Sequence, residues 1–173
     1  MEFIYTFGLA FILIFLSELG DKTQLLVLSF SSKSKAKNIL LGVALGTFFS
    51  HGLAILFGSR VSELASPKVS YFLSIFTYIS FILFGVLGFV FNKKDNNSVD
   101  SGFDDSNFNL LKKISKFKIN YVFIIAISIF IGELGDKTFL SSLGLGLQYP
   151  DFKFSLILGC IFGMVASLSL IHI

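Results

Sequence analysis

The chain has few of the charged residues that a soluble domain carries on its surface. Only 14% of its 173 residues are charged, whereas 54% are hydrophobic. Soluble domains carry about 25% charged residues, so the composition excludes that class and predicts an integral membrane protein in a lipid bilayer. The apolar runs are much longer than the roughly 10 residues of a barrel strand. We therefore expect an all-α membrane protein.

Other absences narrow the function. A single cysteine, Cys160, excludes an internal disulfide, and no His-Glu-x-x-His sequence is present to support a zinc protease. The first residues lack a basic segment, so the run from Phe3 is interpreted as a retained span and not as a signal peptide. The net charge of +3 comes from lysines in short loops, which predicts a role in membrane orientation and no nucleic-acid partner.

The six residues Glu-Leu-Gly-Asp-Lys-Thr occur twice within apolar runs, at 18–23 and again at 133–138. We call these the first and second motifs. In a continuous helix, the spacing i, i+3, i+4 would place both acids and the lysine of each motif on one face. A central charged residue costs roughly 2.5 to 3.5 kcal/mol on membrane-insertion scales, so two copies predict a functional site.

The site predicted from these motifs holds one divalent cation at the centre of the protein. Its carboxylates would be Glu18, Asp21, Glu133 and Asp136, with Thr23, Gln24 and Thr138 as neutral oxygen donors. Lys22 and Lys137 would orient the acids and leave the cluster a net charge of −2. Oxygen ligands favour Mn²⁺ or Ca²⁺ over zinc and copper. The alternative is an ion cluster that only fixes helix packing.

Five membrane spans are predicted, and the first is too long to cross as one straight helix. The spans cover about 3–30, 38–58, 71–91, 119–147 and 154–173. A 28-residue helix would be about 42 Å long against a hydrocarbon core of roughly 30 Å, so the span must tilt or break, and Gly20 is where a break is expected. Residues 92–118 form a polar, then basic, linker between units 1–91 and 119–173. Its acidic pair, Asp104 and Asp105, is interpreted as solvated.

Small residues recur at every fourth position in the second and fifth spans. They form two stripes, one of Gly42, Gly46, Ser50, Ala54 and Gly58 and the other of Ser155, Gly159, Gly163 and Ser167. Such stripes allow a neighbouring helix backbone to approach closely. His51 lies beside the first stripe, and two roles stay open for it: an interhelical hydrogen bond, or proton handling.

The order of motif and stripe predicts an internal duplication. The motifs are 115 residues apart and the stripes 117 apart. Because three spans precede the second motif, its unit would enter the membrane from the opposite side, as an inverted repeat. The first and third loops carry nine lysines and arginines against three in the others. This predicts a cytoplasmic linker and a non-cytoplasmic N-terminus.

The doubled motif resembles the two E-x-G-D-K/R-T/S signatures of the GDT family of cation/proton exchangers, within the lysine-exporter superfamily. The resemblance implies exchange of Ca²⁺ or Mn²⁺ for protons, without a cofactor, through two inverted three-helix units. It also implies a bacterial plasma membrane, or a thylakoid or Golgi membrane. The family pattern has six spans and five are visible here. We therefore expect a chain truncated after Ile173, or a homodimer or partner that supplies the sixth helix.

Two other functions compete with transport. An intramembrane aspartyl protease would pair Asp21 with Asp136 around a shared proton, but such enzymes resemble patterns with a downstream Pro-Ala-Leu that this chain lacks. A lysine after each aspartate also favours the charged form of both acids. The protein is therefore predicted not to be an enzyme. The remaining alternative is a non-transporting or partner-dependent membrane subunit.

Overall fold

The computed structural model describes residues 1–31, 34–92 and 121–172, and these ranges are almost entirely helical. Seven α-helices and one short 3-10 helix follow one another: α1 (Glu2–Glu18), α2 (Lys22–Ser31), α3 (Ala36–Leu64), α4 (Pro67–Asn92), α5 (Tyr121–Glu133), α6 (Lys137–Gln148), the 3-10 helix (Pro150–Phe152) and α7 (Lys153–His172). No strand occurs within these ranges, which agrees with the expected all-α class. The predicted linker, including Asp104 and Asp105, lies almost wholly outside the described residues.

Both motifs interrupt their helices. The axes of α1 and α2 differ by 77°, and the bend lies at Gly20, whose φ of 80° is in the left-handed region that favours glycine. This confirms the break expected there. Gly135 has a nearly identical φ of 81° between α5 and α6. The second break was not predicted, although the motif around it has the same sequence.

The two small-residue stripes pack against the motif helices of the opposite unit. A Cβ atom added at Gly42 or Gly46 of α3 would lie 2.7 Å from the Cβ of Ile125 or Ile129 in α5. At Gly159 and Gly163 of α7, an added Cβ would lie 2.5 and 2.6 Å from backbone oxygens of α1. The expected close approach is therefore confirmed. Each stripe covers the motif-bearing helix of the other half.

The exposed surface is apolar, and several charged or polar side chains are buried. Large apolar side chains such as Phe57, Leu16 and Ile82 are 55–70% exposed, whereas Glu18, Glu133 and His51 are fully buried. In water such a surface would be strongly unfavourable, but lipid accommodates it without cost. The apolar exterior and the buried charged groups therefore fit a membrane protein. The buried apolar core lies between α1, α3, α5 and α7 and includes Ile14, Ile39, Val43, Ile55, Ile125, Ile129, Leu156, Met164 and Leu168.

Two described helices are long and apolar enough to cross a membrane unaided, Ala36–Leu64 and Pro150–Leu170. The bent pair α1 and α2 makes a third span if it is counted as one. Shorter apolar helical segments are Tyr71–Ser80, which is part of α4, and Tyr121–Glu133, which is α5. The total of five spans and the missing sixth helix stay predictions.

Candidate functional site

The helix breaks, and not a continuous helical face, position the charged side chains. Glu18 is the last residue of α1, Asp21 lies in the break, and Lys22 is the first residue of α2. The second motif repeats this arrangement at Glu133, Asp136 and Lys137. The expectation that i, i+3, i+4 spacing places these residues on one helical face is therefore wrong. The left-handed glycine turns the chain before a full helical turn connects the two acids.

Each motif holds its buried glutamate through its own threonine. The Thr23 hydroxyl donates to Glu18 Oε2 at 2.5 Å, and the Thr138 hydroxyl donates to Glu133 Oε2 at 2.6 Å. Both glutamates are fully buried. Among the described residues, Glu18 Oε1 and Glu133 Oε1 have no hydrogen-bond partner. Each glutamate thus has one fixed oxygen and one that is unused.

Each aspartate is also held through one oxygen by its own motif. Asp21 Oδ1 accepts the backbone N–H of Lys22, and Asp136 Oδ1 accepts that of Lys137, both at 2.8 Å. These bonds satisfy a backbone donor at the start of α2 and of α6, where helices leave their first N–H groups unpaired. The second oxygen of each aspartate remains available.

The lysines join the two motifs. Lys137 Nζ lies 2.9 Å from Asp21 Oδ2, and Lys22 Nζ lies 3.1 Å from Asp136 Oδ2. Each lysine therefore pairs with the aspartate of the other motif and not with its own. The exchange of equivalent contacts is what a two-fold relation between two similar units produces. These two ion pairs connect the two helix breaks.

Gln24 is the remaining predicted ligand, and its side chain makes two contacts. Gln24 Oε1 accepts the N–H of Gly20 at 2.9 Å, and its amide nitrogen lies 3.5 Å from Ser167 Oγ. In this structure Gln24 thus stabilises the first break, and its part in cation binding stays a prediction. Phe139 follows the second motif at the equivalent position, and its side chain cannot accept a hydrogen bond as that of Gln24 does.

His51 lies beside the second motif. Its Nδ1 is 2.5 Å from Ser142 Oγ on α6, which is an interhelical hydrogen bond, and its Nε2 is 3.7 Å from Glu133 Oε2. Ser142 is in turn 3.7 Å from the sulfur of Cys160 on α7. Ser142 was not singled out from the sequence. Its position one helical turn after Thr138 is the signal that could have found it.

The structure therefore brings the predicted acids, lysines and threonines of both motifs into one region. Lys137 and Glu133 both interact electrostatically with Glu18 across the two motifs. Within the described residues, however, no three histidine, cysteine or acidic side chains are close enough together to hold a metal ion. Each aspartate is instead paired with the lysine of the other motif.

Broken helices with buried carboxylates at facing breaks are typical of ion transporters, where such breaks present polar groups at membrane depth. The family model described as divalent cation/proton antiporter GDT1 matches residues 6–96, which is more than half of the chain and includes the first motif. The chain belongs to this family, as its motifs led us to expect. The family is one of transporters, in agreement with the expectation that the protein is not an enzyme.

Two relatives agree with this assignment. The chain is 27% identical over 151 residues to a "putative manganese exporter" of Vibrio cholerae, an overlap of 87% of this chain and 66% of that protein. It is 34% identical over 87 residues to a GDT1-like protein of Schizosaccharomyces pombe, covering 50% and 32% of the two chains. It thus spans less than two thirds of either relative. No solved structure matches it significantly.

Proposed function

We propose that this chain exchanges a divalent cation, Mn²⁺ or Ca²⁺, for protons at one central site formed by Glu18, Asp21, Glu133 and Asp136. One observation carries the proposal: each of the four carboxylates accepts a hydrogen bond from its own motif through one oxygen, and the second oxygen accepts none from that motif. Among the described residues, the second oxygens of the glutamates have no hydrogen-bond partner, and those of the aspartates each form an ion pair with a lysine of the other motif. Four such oxygens match the hard ligands that Mn²⁺ and Ca²⁺ accept.

The chemistry of exchange follows from the burial of these groups. Ionised carboxylates that are crowded away from water repel one another, so they require either protons or a cation. Both occupants neutralise the same oxygens and therefore compete. If only the neutralised site can change sides, this competition makes the exchange obligatory.

The swapped contacts support an inverted repeat as the moving framework. Matching breaks, matching threonine bonds and reciprocal lysine pairs are consistent with a two-fold axis in the membrane plane. The two units would rock against each other around the site, with the N-terminus outside and the linker in the cytoplasm. A bacterial plasma membrane is the proposed location. A homodimer or a partner that supplies a sixth helix also stays a prediction.

The manganese named for the Vibrio relative favours Mn²⁺ as the first ion to test. The competing protease function is disfavoured because Asp21 and Asp136 are each paired with a lysine of the other motif and not with each other. A non-transporting subunit predicts no flux at all, so a single transport assay separates it from an exchanger.

The experiment is Mn²⁺ uptake into proteoliposomes that contain the purified protein and a pH-sensitive dye. The wild-type protein should move Mn²⁺ and protons in opposite directions. Glu18→Gln, Asp21→Asn, Glu133→Gln and Asp136→Asn should each abolish flux, because an amide keeps the local hydrogen bond but loses the charge. Glu63→Gln is the matched control, since Glu63 is an exposed acid outside both motifs. Wild-type flux in one amide variant would remove that residue from the site, and no flux in the wild type would favour the subunit.

A further inference from the structure

The lysines of the two motifs occupy the aspartate oxygens that a cation would need. Asp21 and Asp136 each use Oδ1 to accept a backbone N–H, so Oδ2 is the oxygen left for a ligand. That oxygen is the atom nearest the ammonium of the other motif, at 2.9 and 3.1 Å. A divalent cation and the lysine therefore compete for the same position.

The burial of the four side chains shows which partner can leave. The aspartate side chains are 17% and 21% exposed, whereas those of Lys137 and Lys22 are 43% and 47% exposed. A lysine has a long flexible stem and a strongly hydrated head, so it can withdraw to a more polar position. The aspartates have shorter side chains and are each held at the start of α2 or α6 by a bond to a backbone N–H.

The pairing also crosses between the two halves of the chain. Lys22 belongs to the first motif and contacts the second, and Lys137 makes the reverse contact. Release of both lysines would remove two ion pairs that join the halves. It would also free Oδ2 of both aspartates, and Oε1 of Glu18 and of Glu133 already has no hydrogen-bond partner among the described residues.

We propose that Lys22 and Lys137 are tethered competitors of the transported cation, which hold the aspartate oxygens of the opposite motif in the empty site and are displaced when the cation binds. This inference rests on the proposed function. It differs from a role in orienting the acids, because a competitor weakens cation binding whereas an orienting group strengthens it. The two roles thus predict changes of opposite sign when the ammonium is removed.

The test is equilibrium binding of Mn²⁺ to purified protein in detergent, followed by the electron paramagnetic resonance signal of the free ion. Lys22→Met and Lys137→Met keep the stem and remove the charge. Each should tighten Mn²⁺ binding by about tenfold, the effect of removing one ammonium at a partly exposed pair together with its repulsion of the ion. Lys153→Met is the matched control, because Lys153 forms an ion pair with Glu63 outside the motifs and its loss should leave binding unchanged.

A second measurement uses the unmutated protein. Mn²⁺ should raise the rate at which an amine-reactive acetylating reagent modifies Lys22 and Lys137 several-fold, measured by mass spectrometry, with Lys153 unaffected. Weaker or unchanged Mn²⁺ binding in both methionine variants would overturn the inference, as would unchanged acetylation. If the wild type transports Mn²⁺ while the variants bind no tighter, only this inference fails. If neither the wild type nor any variant binds Mn²⁺ or Ca²⁺, the proposed function fails with it.

Discussion

The threonine that holds each buried glutamate is the most direct point at which to test the site. Thr138 donates its hydroxyl to Glu133 at 2.6 Å, and both residues are fully buried. Valine has nearly the same shape as threonine, so Thr138→Val removes the donor without opening a cavity. A hydrogen bond to a charged group is worth about 1.5 to 3 kcal/mol. Burial away from water places this bond toward the upper end of that range.

The expected result is a loss of cation affinity. Mn²⁺ binding requires the ionised glutamate, and the hydroxyl stabilises this form. Its loss should weaken Mn²⁺ binding by about 10- to 150-fold, the factor that corresponds to 1.5 to 3 kcal/mol. Thr23→Val should act in the same way on Glu18, because its hydroxyl lies 2.5 Å from Glu18 Oε2. Binding isotherms on purified protein measure both effects.

The chain offers two controls for this experiment. Thr138→Ser keeps the hydroxyl and should retain most of the affinity. Thr47 is also fully buried, but its hydroxyl has no partner among the described residues. Thr47→Val should therefore leave binding unchanged and cost no stability, since no hydrogen bond is lost. If Thr138→Val and Thr23→Val bind Mn²⁺ as tightly as Thr47→Val does, the threonines do not prepare the glutamates for the cation.

Three further predictions concern the framework of the site. Gly20→Ala and Gly135→Ala should each lower stability by about 1 to 2 kcal/mol, because alanine disfavours the left-handed backbone. Gly8→Ala is the control, since Gly8 lies in a helix with open space around it and its replacement should not lower stability. Thermal unfolding in detergent compares the three variants. Gly146→Ala places a Cβ against the backbone of Ile55 and should cost about 1 to 3 kcal/mol through overpacking, while Gly52→Ala meets no atom within 4 Å and should be tolerated in the same assay. His51→Asn can keep a hydrogen bond to Ser142 but cannot take up a proton, so near wild-type flux is expected if the interhelical bond is the whole role of His51, and abolished flux would favour proton handling.

The residues of the site were accessible from the sequence because their chemistry is conspicuous at membrane depth. Two identical sets of acid, glycine, acid and lysine in apolar runs are energetically unfavourable in lipid, which predicts a functional role for them. The glycine stripes were equally readable, since a repeat of four residues places them on one helical side. These features depend only on composition and spacing, and the structure confirms the close packing at both stripes.

The partners of the lysines could not be predicted in the same way. Spacing along a continuous helix places Lys22 on the same face as Glu18 and Asp21, and this expectation fails because Gly20 breaks the helix between the two acids. Once the helix is broken, the partner of an ammonium depends on how two distant segments meet. The hydrogen bond from the Gly20 N–H to Gln24 Oε1 was not predicted for a related reason, because the bend at Gly20 brings these two groups together.

The packing of the stripes explains why the motif has to occur twice. Gly159 and Gly163 of α7 lie against α1, which ends at Glu18, while Gly42 and Gly46 of α3 lie against α5, which ends at Glu133. The stripe of each half thus covers the motif helix of the other half. The helix that packs against each motif helix and the lysine that pairs with each aspartate thus both come from the other half. A movement of one half relative to the other would therefore change the packing of both motif helices together, which is the coupling that the proposed exchange requires.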